Sequence, residues 1–235
     1  MENLKYTDVL PNFMYNLVNI RKANKMQYNW LYEHACFHRH RYSIHFNCFL
    51  KKFGIEEKRG FLDIETSNLK ADFGIVLCWC ILDDEGHLYE DWLTKDDIMS
   101  DNEDKRVIET CIETMNKFDR IVTHFGTYFD IPFLRTRALV HGLKFPQYGN
   151  MYHTDVWKMA KKSLCIHSNR QGCVAEVLQG KTIKTRIDHP SWRKAAFGNK
   201  EAMKEVVDHC EKDVPDLRKN YHSLLPFVRE IRTSI

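Results

Sequence analysis

The segment Phe61-Leu62-Asp63-Ile64-Glu65-Thr66 constrains the fold of this chain more than any other. Phe61, Leu62 and Ile64 form a short apolar run of the kind that makes a buried β-strand. Successive strand side chains point to opposite faces, so Asp63 and Glu65 emerge on the same one. Two carboxylates about 4 Å apart repel by roughly 4 kcal/mol at an effective dielectric near 20. A fold keeps such a pair where water solvates a strand end or where a cation neutralises it, and divalent metal is the usual cation.

Two later segments carry further acids. The apolar run Arg120-Ile121-Val122-Thr123-His124 reads as a strand, and Gly126 to Leu134 follows it. Asp130 opens a helix that continues through Val140, a position where an acid on its own reads as a cap. Ala202 to Val214 has the pattern of an amphipathic helix with Val206, Val207, Cys210 and Val214 on its apolar stripe. His209 and Asp213 are four apart and share a face bordering that stripe, which on its own reads as a surface polar pair.

Phe-Leu-Asp-Ile-Glu-Thr, then Phe-Asp-Ile-Pro-Phe-Leu, then His-x-x-x-Asp-Val stand in this order along the chain. Taken together they resemble the three motifs of the DEDD (DnaQ-like) 3′–5′ exonucleases, and most of all the small bacterial and phage proteins with a polymerase-proofreading-like core. The resemblance runs from about Gly60 to about Tyr221. It implies an α/β, RNase H-like mixed sheet flanked by helices, and hydrolysis of DNA from the 3′ end to nucleoside monophosphates. It also implies that Asp63, Glu65, Asp130 and Asp213 hold two Mg²⁺ or Mn²⁺ ions, which suit an oxygen-only ligand set. Asp63 would bridge both ions, Glu65 and Asp213 would hold the one bearing the water, and Asp130 would serve the other.

The chain departs from the family at two positions. The third motif has His209 at the spacing of the subclass that uses tyrosine, and a histidine there can orient or deprotonate water. In the second motif, Phe125 stands where the family often has Asn. A basic cluster of Lys158, Lys161, Lys162, Arg170, Lys181, Lys184 and Arg186 lies between the second and third motifs, either as a solvated face or as a track for phosphates. Ser168 or Asn169 is the expected cap of a helix there, and Lys181 to Arg186 alternates like a strand. The expected substrate-binding residues are Thr66, Phe125, Asn169, Arg170, Lys181 and Lys184. Asp155, at a strand-to-helix junction, reads first as a cap, with a supporting role near the metals as the alternative. Gly180-Lys181-Thr182 is no phosphate-binding P-loop, because the glycine required five residues earlier is Ala175.

At 235 residues, the chain suits one nuclease domain over 59–235 and an N-terminal extension over 1–58. Four further strands or helices are expected before the second motif: strands at 74–82 and 87–92 around an Asp84-Glu85-Gly86 turn, a helix at 103–117, and a strand at 119–124. No apolar run is long enough for a membrane span, and the N-terminus is no secretory signal. The eight cysteines show no disulfide framework, so the expected setting is a reducing cytoplasm, and the family resemblance implies that of a bacterium or a phage-infected cell. A net charge of +3 does not by itself argue for nucleic acid as partner. The nuclease resemblance does, with DNA ahead of RNA; an RNA-directed or structure-specific nuclease, or a non-catalytic binding module, are the alternatives.

The extension concentrates two cysteines and three histidines between Cys36 and Cys48. Cys36, His38 or His40, His45 and Cys48 would make a tetrahedral zinc site, with His40 the expected fourth ligand. A basic nucleic-acid-binding loop and chance clustering are the other readings of this stretch.

Overall fold

The structure is a computed structural model that describes residues 5, 9–183, 185, 187–228 and 235. It divides into two compact units, Met1–Glu57 with Tyr148–Asn150, and Lys58–Gln147 with Met151–Ile235.

The smaller unit holds helices α1 (Lys25–Glu33) and α2 (Phe46–Phe53). Asn24 and Gln27 form a reciprocal capping box at the start of α1, and Gly54 ends α2 in the left-handed conformation. Leu10, Met14, Leu17, Leu31, Cys36, Tyr42, Phe46 and Phe49 form its core. Tyr148–Asn150 is tied to this unit by Asn19 Nδ2, which donates to the Gly149 carbonyl at 3.2 Å, and by Arg21 stacked on Tyr148.

The larger unit is built on a five-stranded sheet in the order β3-β2-β1-β4-β5. Its strands are β1 (Arg59–Thr66), β2 (Val76–Asp83), β3 (Leu88–Trp92), β4 (Arg120–Thr123) and β5 (Tyr152–Asp155). The first three pair antiparallel, whereas β4 pairs parallel with β1 and β5 parallel with β4, each reached through a helical crossover. This is the RNase H-like α/β arrangement. Its strands fall close to the expected positions because each is a short apolar run bounded by turn residues.

Gly60 is required where it stands. A Cβ there would lie 2.8 Å from Phe118 and 2.9 Å from Ile81, so the second residue of β1 must be bare.

Helices α3 (Lys95–Met99), α4 (Lys105–Met115) and α5 (Asp130–Val140) follow β3 and β4. Trp79 points from β2 toward α4 and donates to the Val107 carbonyl at 2.9 Å. At the start of α4, Asp104 is fully buried and accepts from Val76 N, from Arg137 of α5 at 2.6 Å, and pairs with His141 at 2.7 Å. The opposite sheet face meets α9 (Lys200–Leu224), with α6 (Val156–Ser163), α7 (Gln171–Gln179) and α8 (His189–Ala196) packed beside it. The expected stripe Val206, Val207, Cys210 and Val214 is buried.

Two local expectations fail. Among the described residues 181–183 and 185 there is no strand, because Thr182 Oγ1 and Ile183 N both donate to Asp216 of α9 rather than to a neighbouring strand. Helix α7 starts two residues later than a Ser168 cap and one later than an Asn169 cap would set it, with Arg170 at the N-cap and no side-chain cap. Ser168 Oγ instead accepts from Arg170 N. No helix among the described residues is long and apolar enough to cross a membrane.

Candidate active site

The strand period puts Asp63 and Glu65 on the face that α9 covers, and the helical period of α9 turns His209 and Asp213 toward them. His209 Nε2 lies 3.6 Å from Glu65 Oε1 and 3.9 Å from Asp213 Oδ2. Potential ligand atoms of Glu65, His209 and Asp213 all fall within 4.8 Å of one another. Asp63 stands outside that triad but lines the adjoining cleft, and its main-chain carbonyl accepts from the Cys210 thiol at 3.4 Å. Asp130 is buried at the first turn of α5, near enough to Cys111 for its charge to help raise that thiol, after burial.

His209 is oriented by its other nitrogen. Thr185 Oγ1 is 2.8 Å from Nδ1, which leaves Nε2 facing the two carboxylates. Gln171 Nε2 donates to the Asp213 carbonyl at 2.7 Å and ties α7 to α9 at that residue. Trp192 of α8 donates to the Thr66 carbonyl at 2.8 Å.

Three thiols lie under the carboxylates. Cys80 sits across the sheet from Asp63 and Cys78 across from Glu65, and both contact Cys210. Burial pushes the Cys78 pKa up to about 11 and that of Cys210 well above the ordinary value. The hydrogen bond to Cys210, with burial, raises Cys80 as well. Neutral thiols add no negative charge and offer no thiolate ligand. The donors on offer to a cation are therefore carboxylate oxygens, a set that suits Mg²⁺ or Mn²⁺, with the His209 imidazole beside them.

Beside the carboxylates opens a cleft of about 960 Å³. Asp63, His124, Phe125, Trp157 and Arg170 are among the residues that line it. Phe125, Tyr128 and Trp157 form an aromatic wall with ring centroids 5.2 to 6.1 Å apart. Lys158 lies over Tyr128 and Lys161 over Trp157. Phe125 adopts φ 70°, costly for a residue with a side chain. Asp155 holds it there, accepting from Phe125 N at 2.8 Å, Thr127 N at 3.0 Å and Trp157 N at 3.0 Å. Asp155 is thus a cap, as its position in the sequence suggests, and also the clamp of the aromatic turn. Burial lowers the pKa of the neighbouring His153 to about 4, so it meets Thr123 Oγ1, at 2.9 Å, as a neutral ring.

The expected substrate residues divide. Phe125 and Arg170 line the cleft. The main-chain carbonyl of Asn169 pairs with His124 Nε2 at 2.9 Å. The Thr66 hydroxyl donates to the Asn68 carbonyl, and Lys181 is exposed on the loop after α7. Lys184, like Arg186, lies outside the described residues. Trp157, Tyr128 and Thr185 carry no motif. Only the spacing of Trp157 beside Lys158 and Lys161 hints at a nucleic-acid wall, and nothing local marks Thr185.

Residues 60–224 match the model of the RNase_H superfamily. The chain belongs to the RNase_H superfamily. Membership points to a nuclease that uses divalent metal and acts on nucleic acid. The fold of this superfamily member is similar to that of the family B DNA polymerase from the hyperthermophilic archaeon Pyrobaculum calidifontis, with a TM-score of 0.59 and 19% identity. The similarity covers 73% of this chain and 25% of the polymerase, so this RNase_H-superfamily chain spans about a quarter of that protein's length. No curated protein matches the chain in sequence.

Proposed function

We propose that this chain is a metal-dependent 3′–5′ exonuclease of the DEDD type acting on DNA. The observation that carries this is the meeting of Glu65, His209 and Asp213 at the carboxylate end of an aromatic cleft that Asp63 also lines. Asp63, Glu65, Asp130 and Asp213 would hold two Mg²⁺ or Mn²⁺ ions. Bound there, the ions would supply Lewis-acid stabilisation of charge on the phosphate oxygens. His209 Nε2, fixed by Thr185, takes the proton of the attacking water. Phe125 and Trp157 of the cleft lining stack on unpaired bases, and Arg170 of that lining, with Lys158 and Lys161 beside the aromatic rings, meets phosphates. Pocket walls made of ring faces favour single strands, because stacking needs bases free of a duplex.

The test is cleavage of a 5′-labelled single-stranded DNA oligonucleotide in Mg²⁺, in Mn²⁺ and in EDTA, with Asp213→Ala beside the wild type. A metal-dependent ladder shortening from the 3′ end, absent in Asp213→Ala, is expected. Binding without cleavage, equal in both proteins, would sink the enzyme reading. An RNA oligonucleotide of the same sequence decides the sugar preference.

A further inference from the structure

We propose that Cys36, His38, His45 and Cys48 bind one structural Zn²⁺ and that this ion holds the smaller unit together. The proposal stands apart from the nuclease reading, since all four residues lie in Met1–Glu57.

Two pieces of local structure deliver the ligands. The first is a tight turn in which Arg39 N donates to the Cys36 carbonyl at 2.8 Å and Cys36 N to the His40 carbonyl at 2.9 Å. Arg39 closes it at φ 64°, the left-handed position of a three-residue hairpin loop. This turn brings His38 back toward Cys36 and carries His40 past it. The second is the start of α2, where His45 is the N-cap and Cys48 lies in the first turn, three residues on and on the same face.

The four ligand atoms converge within 4.8 Å of one another. Cys36 Sγ is 3.6 Å from His38 Nδ1 and 3.2 Å from His45 Nδ1. Cys48 Sγ is 3.5 Å from His38 Nδ1, and its 4.0 Å approach to His45 is to Nε2, the other ring nitrogen from the one beside Cys36, so one of the two would be the ligand. Tetrahedral zinc with its usual bond lengths sets sulfur and nitrogen ligands about 3.6 Å apart. A two-thiolate, two-imidazole set is a zinc set rather than one for Mg²⁺ or Ca²⁺. His40 is not a ligand, contrary to the sequence expectation; its ring packs edge-on against His45, with centroids 5.1 Å apart.

The core of this unit gives the independent reason for a staple. Among the described residues, eight buried side chains form it, Cys36 among them, with partly buried apolar ones packed around, a small core for a unit of this size. None of the eight cysteines is in a disulfide. A metal tying a hairpin to a helix supplies the missing constraint. Trp30, stacked on His34 at 4.1 Å and on Tyr42 at 6.0 Å, sits in the same unit and reports on it.

The full-length protein, expressed with added zinc and desalted, should carry one zinc per chain by elemental analysis. Asp63→Ala and His40→Ala should keep it, whereas His38→Ala and Cys48→Ser should lose it more than tenfold. Zinc below about a tenth of an equivalent in the wild type, or kept in Cys48→Ser, overturns the proposal. So does equal retention in His38→Ala and His40→Ala. Because the ligand variants can fail to fold, Co²⁺ exchange into the unaltered protein is the second readout. Thiolate-to-cobalt charge-transfer bands with intense tetrahedral d–d bands are expected, and their absence refutes the site. Chelation of the wild type should shift tryptophan emission, a shift lost in Trp30→Phe; an unchanged spectrum refutes the structural role.

Discussion

The two units of this chain gather metal-binding side chains by opposite means. In the larger unit, carboxylates that repel one another are held together by a core that does not need them. Phe61, Leu62 and Ile64 of β1 and Val206, Cys210 and Val214 of α9 are buried in one apolar core. In the smaller unit, on the zinc proposal above, the order is reversed: the core is smaller, and the ligands would themselves be the fastening. A site built for reaction can thus be emptied without loss of the fold, whereas a site built for structure cannot.

The largest expected effect tests the first half of that contrast. Asp213→Asn should lower cleavage by roughly 10³–10⁴-fold, while the melting temperature stays level or rises as repulsion is relieved. A melting temperature that falls in step with activity would show the carboxylate to be structural instead. Next comes the buried ion pair that the larger unit does rely on. Asp104→Asn leaves the Arg137 guanidinium short of its partner in a buried site and should cost about 3 kcal/mol in denaturant unfolding. Trp30 emission in native conditions should not respond, because Asp104 and Trp30 belong to different units.

Acid sharpens the same point. His153 keeps a folded pKa of about 4 against an ordinary value of 6.5, with burial as the cause. The unfolded chain therefore binds the extra proton first, and stability falls as pH drops from 6.5 towards 4. The loss should approach about 3 kcal/mol, and His153→Gln should flatten the slope. An unaltered slope in that variant would assign the acid sensitivity to other groups. The smallest effect belongs to the cleft wall. Trp157→Ala should weaken single-stranded oligonucleotide binding by about 1–2 kcal/mol in a titration without divalent metal. Equal affinity in variant and wild type would place the bases elsewhere.

Much of the larger unit was legible because its signals are local. The apolar runs give the strands, period two aligns Asp63 with Glu65, and a four-residue interval aligns His209 with Asp213. What could not be read depends on long-range partners. Asp155 looked like a helix cap, and only folding shows it gripping Phe125 and Thr127, some 30 residues earlier. Thr185 has no pattern around it, and its partner His209 is 24 residues away. The segment from Lys181 alternates like a strand, yet Asp216 of α9 takes the hydrogen bonds that a neighbouring strand would need. In the smaller unit the choice between His38 and His40 turned on the left-handed backbone of Arg39, a conformation that a residue with a side chain seldom announces.

The distance along the chain between β1 and α9 has a further consequence. Cys210 and the carbonyl of Asp63 are 147 residues apart, and Trp192 and the carbonyl of Thr66 are 126 apart. Nearly the whole larger unit must be synthesised before His209 and Asp213 can reach the strand that emerged first. Closing so long a loop also makes this meeting a late and slow event. A partly translated chain that ends before α9 therefore holds Glu65 without the His209 and Asp213 that meet it in the folded protein.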